Sequence, residues 1–332
     1  MNAKSTRIWI PTILASVFLA SCQPLYHQPE ERYVFVAFNT GLPYWQEAEA
    51  GLNDAAKQMG VKAALVGPEA FSLQDELTAF QKAVAEKPSG ILVSAANADA
   101  FKEPIAAAIQ QGIPVICVDA DSPSSKRVMF IGTDNFRAGQ ESGKRIAEIL
   151  KGKGNVIVIT IPGQYNLEER LRGATEALKK YPGIKLSGSI DDKGDPRNAF
   201  DTIAAMLKGK DKPDGILSLE ASGGGGAADA LHRVDMDGKI PIVAFDKDPE
   251  TLEWIKRGGI TATVVQKPYV MSYYGLKYLD DLHHNAVHEY NDWKTAPAAP
   301  IPSWVDTGTA IVDKNNLAIF RDALAAHPKS AI

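Results

Sequence analysis

The sequence predicts an α/β protein built as two successive Rossmann-like lobes, each a parallel sheet covered by helices on both faces. Three observations predict it. At 332 residues and 45% hydrophobic, the chain is long and apolar enough for two domains of ordinary size. Short continuous apolar runs rich in Val, Ile and Phe alternate with stretches of helical spacing, the pattern of strands buried on both faces. The alternation runs to domain size, then starts again.

Residues 33–39 (YVFVAFN) form the first strand pattern. In 44–59 the residues Trp45, Ala48, Leu52, Ala55, Ala56 and Met59 share one helix face, and Gly60 stands where a helix C-cap belongs. Strands follow at 61–66, 90–94 and 113–119, with helices at 73–85 and 98–111. The second series has strands at 129–132, 155–160, 185–190, 215–219, 241–245 and 260–265. Its helices are 136–150, 167–181, 197–207, 227–232, 249–257 and 269–282. A stretch with Pro297, Pro300 and Pro302 precedes a late strand at 308–312 and a helix at 315–326.

The N-terminus carries an export signal. Lys4 and Arg7 flank an apolar stretch at 8–20, too short to span a bilayer, which takes roughly 20 residues. Leu19-Ala20-Ser21-Cys22 then resembles the lipobox of bacterial lipoproteins. That resemblance implies removal of residues 1–21, acylation of Cys22 and anchoring to a membrane through the lipid, with 22–32 as a tether. The other cysteine, Cys117, falls in an apolar strand and reads as a small buried hydrophobe, so an acylated chain has no internal disulfide. A formal net charge of -4 lacks the basic footprint of a nucleic-acid binder.

In open parallel sheets, ligands bind beyond the carboxyl ends of the strands. Residues at those ends are Tyr44 and Trp45 after the first strand, Ser94, Asp119 and Asp134. In the second series they are Arg170, Glu220, Asp246 and Gln266. Any one of the Asp or Ser residues could be a helix N-cap, but recurrence at so many strand ends points to a shared site. Carboxylates and a guanidinium meet adjacent hydroxyls with charge-assisted hydrogen bonds, and aromatic rings cover the C–H faces of a sugar. The balance of carboxylates over Arg disfavours an anion. The set therefore suits a small neutral polyhydroxyl ligand, a sugar or polyol.

At these residues the chain resembles the periplasmic sugar-binding proteins of the ribose/galactose type, which serve ABC importers. The resemblance is carried by Pro43-Tyr44-Trp45, Pro114-Val115-Ile116-Cys117-Val118-Asp119, Ile131-Gly132-Thr133-Asp134-Asn135, Glu169-Arg170-Leu171-Arg172-Gly173, Val243-Ala244-Phe245-Asp246 and Gln266-Lys267-Pro268. It implies a type I periplasmic binding fold whose lobes close on a hinge, residues 33–133 with 267–295 forming one and 134–266 with 296–326 the other. It implies stacking by Tyr44 and Trp45, and hydroxyl binding by Asp119, Arg170, Asp246 and Gln266, with Asp134 near the hinge. It also implies an ABC transporter permease as partner, no enzymatic activity and no cofactor. Presentation of the ligand to a sensor kinase or chemoreceptor is the alternative. Leu42, Ala120 and Glu220 stand where the ribose-type pattern has Asn, Arg and Asn. These departures leave open another sugar, a polyol or a sugar-like amine.

Other motifs point elsewhere and are weaker. Ser222 and the four glycines 223–226 precede a helix without the Lys of a phosphate loop, and read as a tight turn. His284 and His288 have helical spacing for a metal but lack the His-Glu-x-x-His context, and read as a solvated helix end. The first strand is not followed by the glycine pattern of a dinucleotide fold, and a signal sequence stands where a repressor would carry its DNA-binding helices.

Overall fold

The computed structural model describes residues 26–28, 30–209, 212–284 and 301–326. Residues 1–21, expected to form an export signal, Cys22 and Pro297 lie outside the described residues. The first sheet is built from β1 (Arg32–Val36), β2 (Lys62–Val66), β3 (Gly90–Val93), β4 (Val115–Val118), β5 (Met129–Gly132) and β11 (Trp304–Asp306). The second is built from β6 (Lys153–Thr160), β7 (Gly183–Asp191), β8 (Gly215–Ser218), β9 (Ile242–Phe245), β10 (Ala262–Val265) and β12 (Ala310–Asp313). Their orders, β11-β5-β4-β3-β1-β2 and β12-β10-β9-β8-β6-β7, repeat one topology. All pairs are parallel except β10 with β12. In each sheet the strand order reverses at the first strand of the lobe, β1 or β6, which opens a crevice at its carboxyl end.

Helices α1 (Pro43–Met59), α2 (Leu73–Ala85) and α3 (Lys102–Gln110) cover the first sheet together with α9 (Pro268–His284). Apolar clusters lie on both faces of that sheet, one around Tyr33, Phe35 and Leu52, the other around Phe80, Phe101 and Ile105. Helices α4 (Asn135–Ile149), α5 (Tyr165–Leu178), α6 (Pro196–Lys208), α7 (Gly223–His232), α8 (Pro249–Arg257) and α10 (Leu317–Ala326) cover the second in the same way. Cys117 is fully buried in β4. No helix among the described residues is long and apolar enough to cross a membrane.

The helix ends follow their sequence signals. α1 starts with Pro43 in its first turn and stops at Gly60, whose φ of +77° is the left-handed conformation that favours glycine. Ser72 and Asp195 cap α2 and α6 through their side chains. The chain crosses between lobes after β5, after β10 and near the end. α9 returns to the first lobe and lies so close on α1 that a Cβ at Gly51 would sit 2.2 Å from the Tyr269 carbonyl oxygen.

Two expectations are corrected. The final crossing does not fall at residue 296. β11 pairs with β5 in the first sheet, so the chain leaves that lobe only after Asp306. β11 is a three-residue edge strand, and the prolines beside it mask its pattern. The glycine run is likewise not a turn. Gly223, Gly224, Gly225 and Gly226 are the first turns of α7, and a Cβ at Gly226 would stand 2.1 Å from the Pro196 carbonyl oxygen of α6. At Gly223 and Gly224 a Cβ would meet the side chains of Ile159 and Ala244 at 2.5 and 2.7 Å, so the start of α7 packs closely on the second sheet as well as on α6.

Candidate functional site

The cleft lies where the carboxyl edges of both sheets face each other. Asp119 follows β4 and Asp246 follows β9, the matching places in the repeated topology. Both have left-handed backbone, φ +66° and +68°. That conformation costs a non-glycine residue on the order of 1 kcal/mol, and Asp is among the residues that tolerate it. It turns each carboxylate off the end of its strand and into the space between the lobes.

Asp119 is buried and held from its own lobe. It accepts a hydrogen bond from Tyr44 Oη at 2.6 Å and one from Ser94 Oγ at 3.2 Å. Ser94 itself is fully buried behind Asp119 and does not line the cleft. Burial pushes the Asp119 carboxyl above its usual range, and the Arg170 charge opposes that. Burial also pushes the Tyr44 phenol well above its ordinary value, with the Asp119 charge adding to it.

Arg170 is the hub of the second lobe. It is 2% exposed and stacks over Phe245, with its guanidinium carbon 4.3 Å from the ring centroid. Nε donates to Asn135 Oδ1 at 2.8 Å, Nη1 to the Leu219 carbonyl at 2.7 Å and Nη2 to Gln266 Oε1 at 2.6 Å. Gln266 Oε1 also accepts from Thr133 Oγ1 at 2.8 Å, and its Nε2 donates to Asp246 Oδ1 at 3.0 Å. Thr133 and Gln266 belong to the first two interlobe crossings, so Arg170 ties the hinge to the site. Asp246 is pushed up to about 7, first by burial and then by the charge of Asp248, against the pull of Arg170.

The remaining candidates divide. Tyr44, Trp45, Asp119, Arg170, Glu220, Asp246 and Gln266 line one cavity between the lobes. Trp45 is also a core residue of the first lobe, meeting Phe35 and Phe38 edge-on at 5.9 and 5.1 Å. Glu220 faces the cleft, but its oxygens accept from the backbone N–H groups of Ser222 at 2.6 Å and Gly223 at 2.5 Å, so it caps α7. Beside it, Asp192 is pushed up to about 9 by burial and by the Glu220 charge. Asp134 is not in this cavity. It caps α4 by accepting from Arg137 N at 3.0 Å, on the outer side of the hinge.

Sequence reasoning missed several lining residues. Gln164 Nε2 and Asn166 Oδ1 are buried and have no hydrogen-bond partner among the described residues. Both side chains line the cavity. They open α5 at the carboxyl end of β6, just as Tyr44 and Trp45 open α1 at the end of β1. Their signal in the sequence is the loop after strand 155–160, which carries both amides ahead of Arg170. Phe38 and Phe71, edge-to-face at 5.9 Å, extend the apolar wall begun by Trp45. At the cleft rim Lys247 of the second lobe pairs with the buried Glu47 of α1. Asn97 Nδ2 meets the Gly163 carbonyl at 3.5 Å across the opening. The lobes are thus closed over a space lined by carboxylates, an Arg, aromatic rings and an unpaired amide donor and acceptor.

Residues 33–285 match the family described as periplasmic binding protein domain. The D-allose-binding periplasmic protein of Escherichia coli K12 is 28% identical over 75% of this chain and 83% of its own length. A sugar-binding protein of a sugar ABC transporter from Bacillus halodurans superposes with a TM-score of 0.78 at 34% identity, over 87% of this chain and all of the other. The arabinose-binding protein AraP of Geobacillus stearothermophilus does so with a TM-score of 0.73 at 33% identity, over 88% of this chain and 99% of its own.

Proposed function

Because the chain belongs to the periplasmic binding protein domain family, we propose that it is an exported, lipid-anchored receptor that captures a neutral sugar or polyol between its lobes and delivers it to an ABC importer. The family consists of binding proteins of the type I fold, and its members named above bind sugars. One observation carries the ligand class. Gln164 offers an unpaired donor and Asn166 an unpaired acceptor into the cavity that holds Asp119, Arg170 and Asp246. Such buried groups cost free energy until a partner arrives, and a hydroxyl can donate to one and accept from the other. The rings of Trp45, Phe38 and Phe71 on one side suit the apolar face of a pyranose or furanose. Titration calorimetry against a panel of pentoses, hexoses and their polyols tests this. At least one should bind at micromolar concentration or tighter, and a panel without heat at millimolar ligand sinks the reading.

The membrane attachment rests on Cys22. Cys22→Ser is expected to leave the precursor unprocessed and unlabelled by radioactive fatty acid, whereas the parent chain takes up label. Equal labelling of both would remove the lipid anchor from the proposal.

A likeness to XylFII solved in a complex with LytSN, TM-score 0.77 at 27% identity, favours a second reading in which the loaded receptor is presented to a sensor. Deleting the gene separates the two. Loss of ligand uptake supports delivery to an importer; intact uptake with loss of the transcriptional response to the ligand supports sensing.

A further inference from the structure

Away from the cleft, four potential metal ligands converge at the base of the first lobe. His27 and Glu31 come from the segment before β1, four residues apart, and Asp280 and His284 from the last turns of α9, again four apart. Each offers one ligand atom, and the four atoms lie within 4.8 Å of one another. His27 Nε2 is 3.1 Å from Asp280 Oδ2. His284 Nε2 is 2.9 Å from Glu31 Oε2 and 3.6 Å from Asp280 Oδ1. Around a tetrahedral zinc ion, bonds of about 2.0–2.2 Å put neighbouring ligand atoms roughly 3.3–3.5 Å apart, so these three pairs already stand near that spacing and the wider pairs, all within 4.8 Å, close by about an ångström on binding.

The surroundings are those of a held ligand set rather than a surface cluster. The Glu31 and Asp280 side chains are 4% and 8% exposed. Tyr33, itself fully buried, donates from Oη to Asp280 Oδ1 at 3.1 Å and fixes that carboxylate from behind. Gln28 N donates to the other oxygen of Glu31 at 2.6 Å. The Tyr26 ring stacks on His284 at 4.4 Å and closes the outer side. Hydrogen bonding between imidazole and carboxylate accounts for each pair alone. It does not account for two imidazoles and two carboxylates meeting at one point, where two negative charges await a divalent cation. His284, read from the sequence as a solvated helix end, is in fact largely covered, at 13% exposure.

We propose that His27, Glu31, Asp280 and His284 form a structural zinc site that clasps the segment preceding β1 to the end of α9. Two nitrogen and two oxygen donors suit zinc and disfavour calcium and magnesium, which take oxygen ligands. The ion would staple the start of the first lobe to the end of α9, without entering the ligand cleft.

The test uses the exported chain, purified without a histidine tag and stripped with EDTA. Zinc chloride should bind at one ion per chain and raise the melting temperature, because an ion bound only by the folded state stabilises it by mass action. X-ray absorption should show a first shell of nitrogen and oxygen. His27→Ala and His284→Ala should each weaken zinc binding by on the order of a hundredfold or more and abolish the zinc-dependent rise in melting temperature. His27 lies outside both sheets, so its replacement leaves the fold intact even where His284→Ala does not. No zinc uptake at tens of micromolar, on the weak side of any structural site, would overturn the proposal. So would wild-type zinc affinity in His27→Ala, equal affinity for calcium, or sulfur in the first shell.

Discussion

Asp246→Ala should lower ligand affinity more than any other single change inside the cleft, by on the order of a hundredfold or more. Asp246 sits at the carboxyl end of β9 with one carboxylate oxygen engaged by Gln266, leaving acceptor capacity directed at the cavity. Hydrogen bonds to a charged group contribute about 1.5–3 kcal/mol each, so two ligand hydroxyls imply a loss of roughly 3–6 kcal/mol. An N-cap role would predict a stability loss instead, but the cap position of α8 belongs to Asp248, and Asp246 makes no bond to that helix's backbone. Affinity should also depend on pH. The Asp246 carboxyl is pushed up to about 7, well above the value near 3.9 of an unfolded chain. In the empty protein its ionisation therefore costs stability as pH rises from about 4 to about 7. Ligand hydroxyls donating to the charged form reverse that preference, so binding should tighten with rising pH up to about 7 and level off above it. Asp248, also pushed up to about 7 by burial, titrates in the same window, so Asp248→Asn serves as the control. Calorimetry across pH 5 to 9, on both variants and the parent, checks this. Wild-type affinity in Asp246→Ala, or a pH slope that survives its removal, would take Asp246 out of the site.

Why Asp246 and Asp119 were legible from the sequence is instructive. Each follows a short run of apolar β-formers, and a carboxylate there has no place in the sheet, so it must sit at the edge. Most of the fold was legible for the same reason. Strands buried on both faces are continuous apolar runs, and their sheet order follows from short right-handed crossovers. What stayed hidden involves contacts between distant segments. β11 is three residues long and defined only by its partner β5. Ser94 stands at a strand end like the lining residues but is buried behind Asp119, and Glu220 lines the cavity while its oxygens are engaged by the start of α7. Gln164 and Asn166 resemble ordinary polar residues of a helix start, and only the closed cleft shows that their amides lack partners. His27 lies in what the sequence presents as a tether, and nothing in its spacing announces Asp280, 253 residues on.

Arg170→Ala should cost both binding and stability. The guanidinium lowers both raised carboxyls, Asp119 and Asp246. It also joins Asn135, the Leu219 carbonyl and Gln266 from a single planar fork. Truncation removes the charge that favours the ionised forms of Asp119 and Asp246, and it takes a charged donor from three buried acceptors, each such hydrogen bond contributing about 1.5–3 kcal/mol. The carboxyls respond by holding their protons at still higher pH, so the pH at which binding levels off should rise in the variant. Arg170→Lys restores the charge but not the fork, since one ammonium cannot serve acceptors on three elements. It should recover part of the stability and little of the affinity. Coupling is the sharper test. Combined with Asp246→Asn, which removes one of the orphaned charges, Arg170→Ala should destabilise less than it does alone, by about 0.5–3 kcal/mol. Thermal melts and ligand titrations on the two single variants and the double variant measure that difference. Additive losses would mean that Arg170 supports the second lobe without acting on Asp246, and the charge-balanced cleft would have to be abandoned.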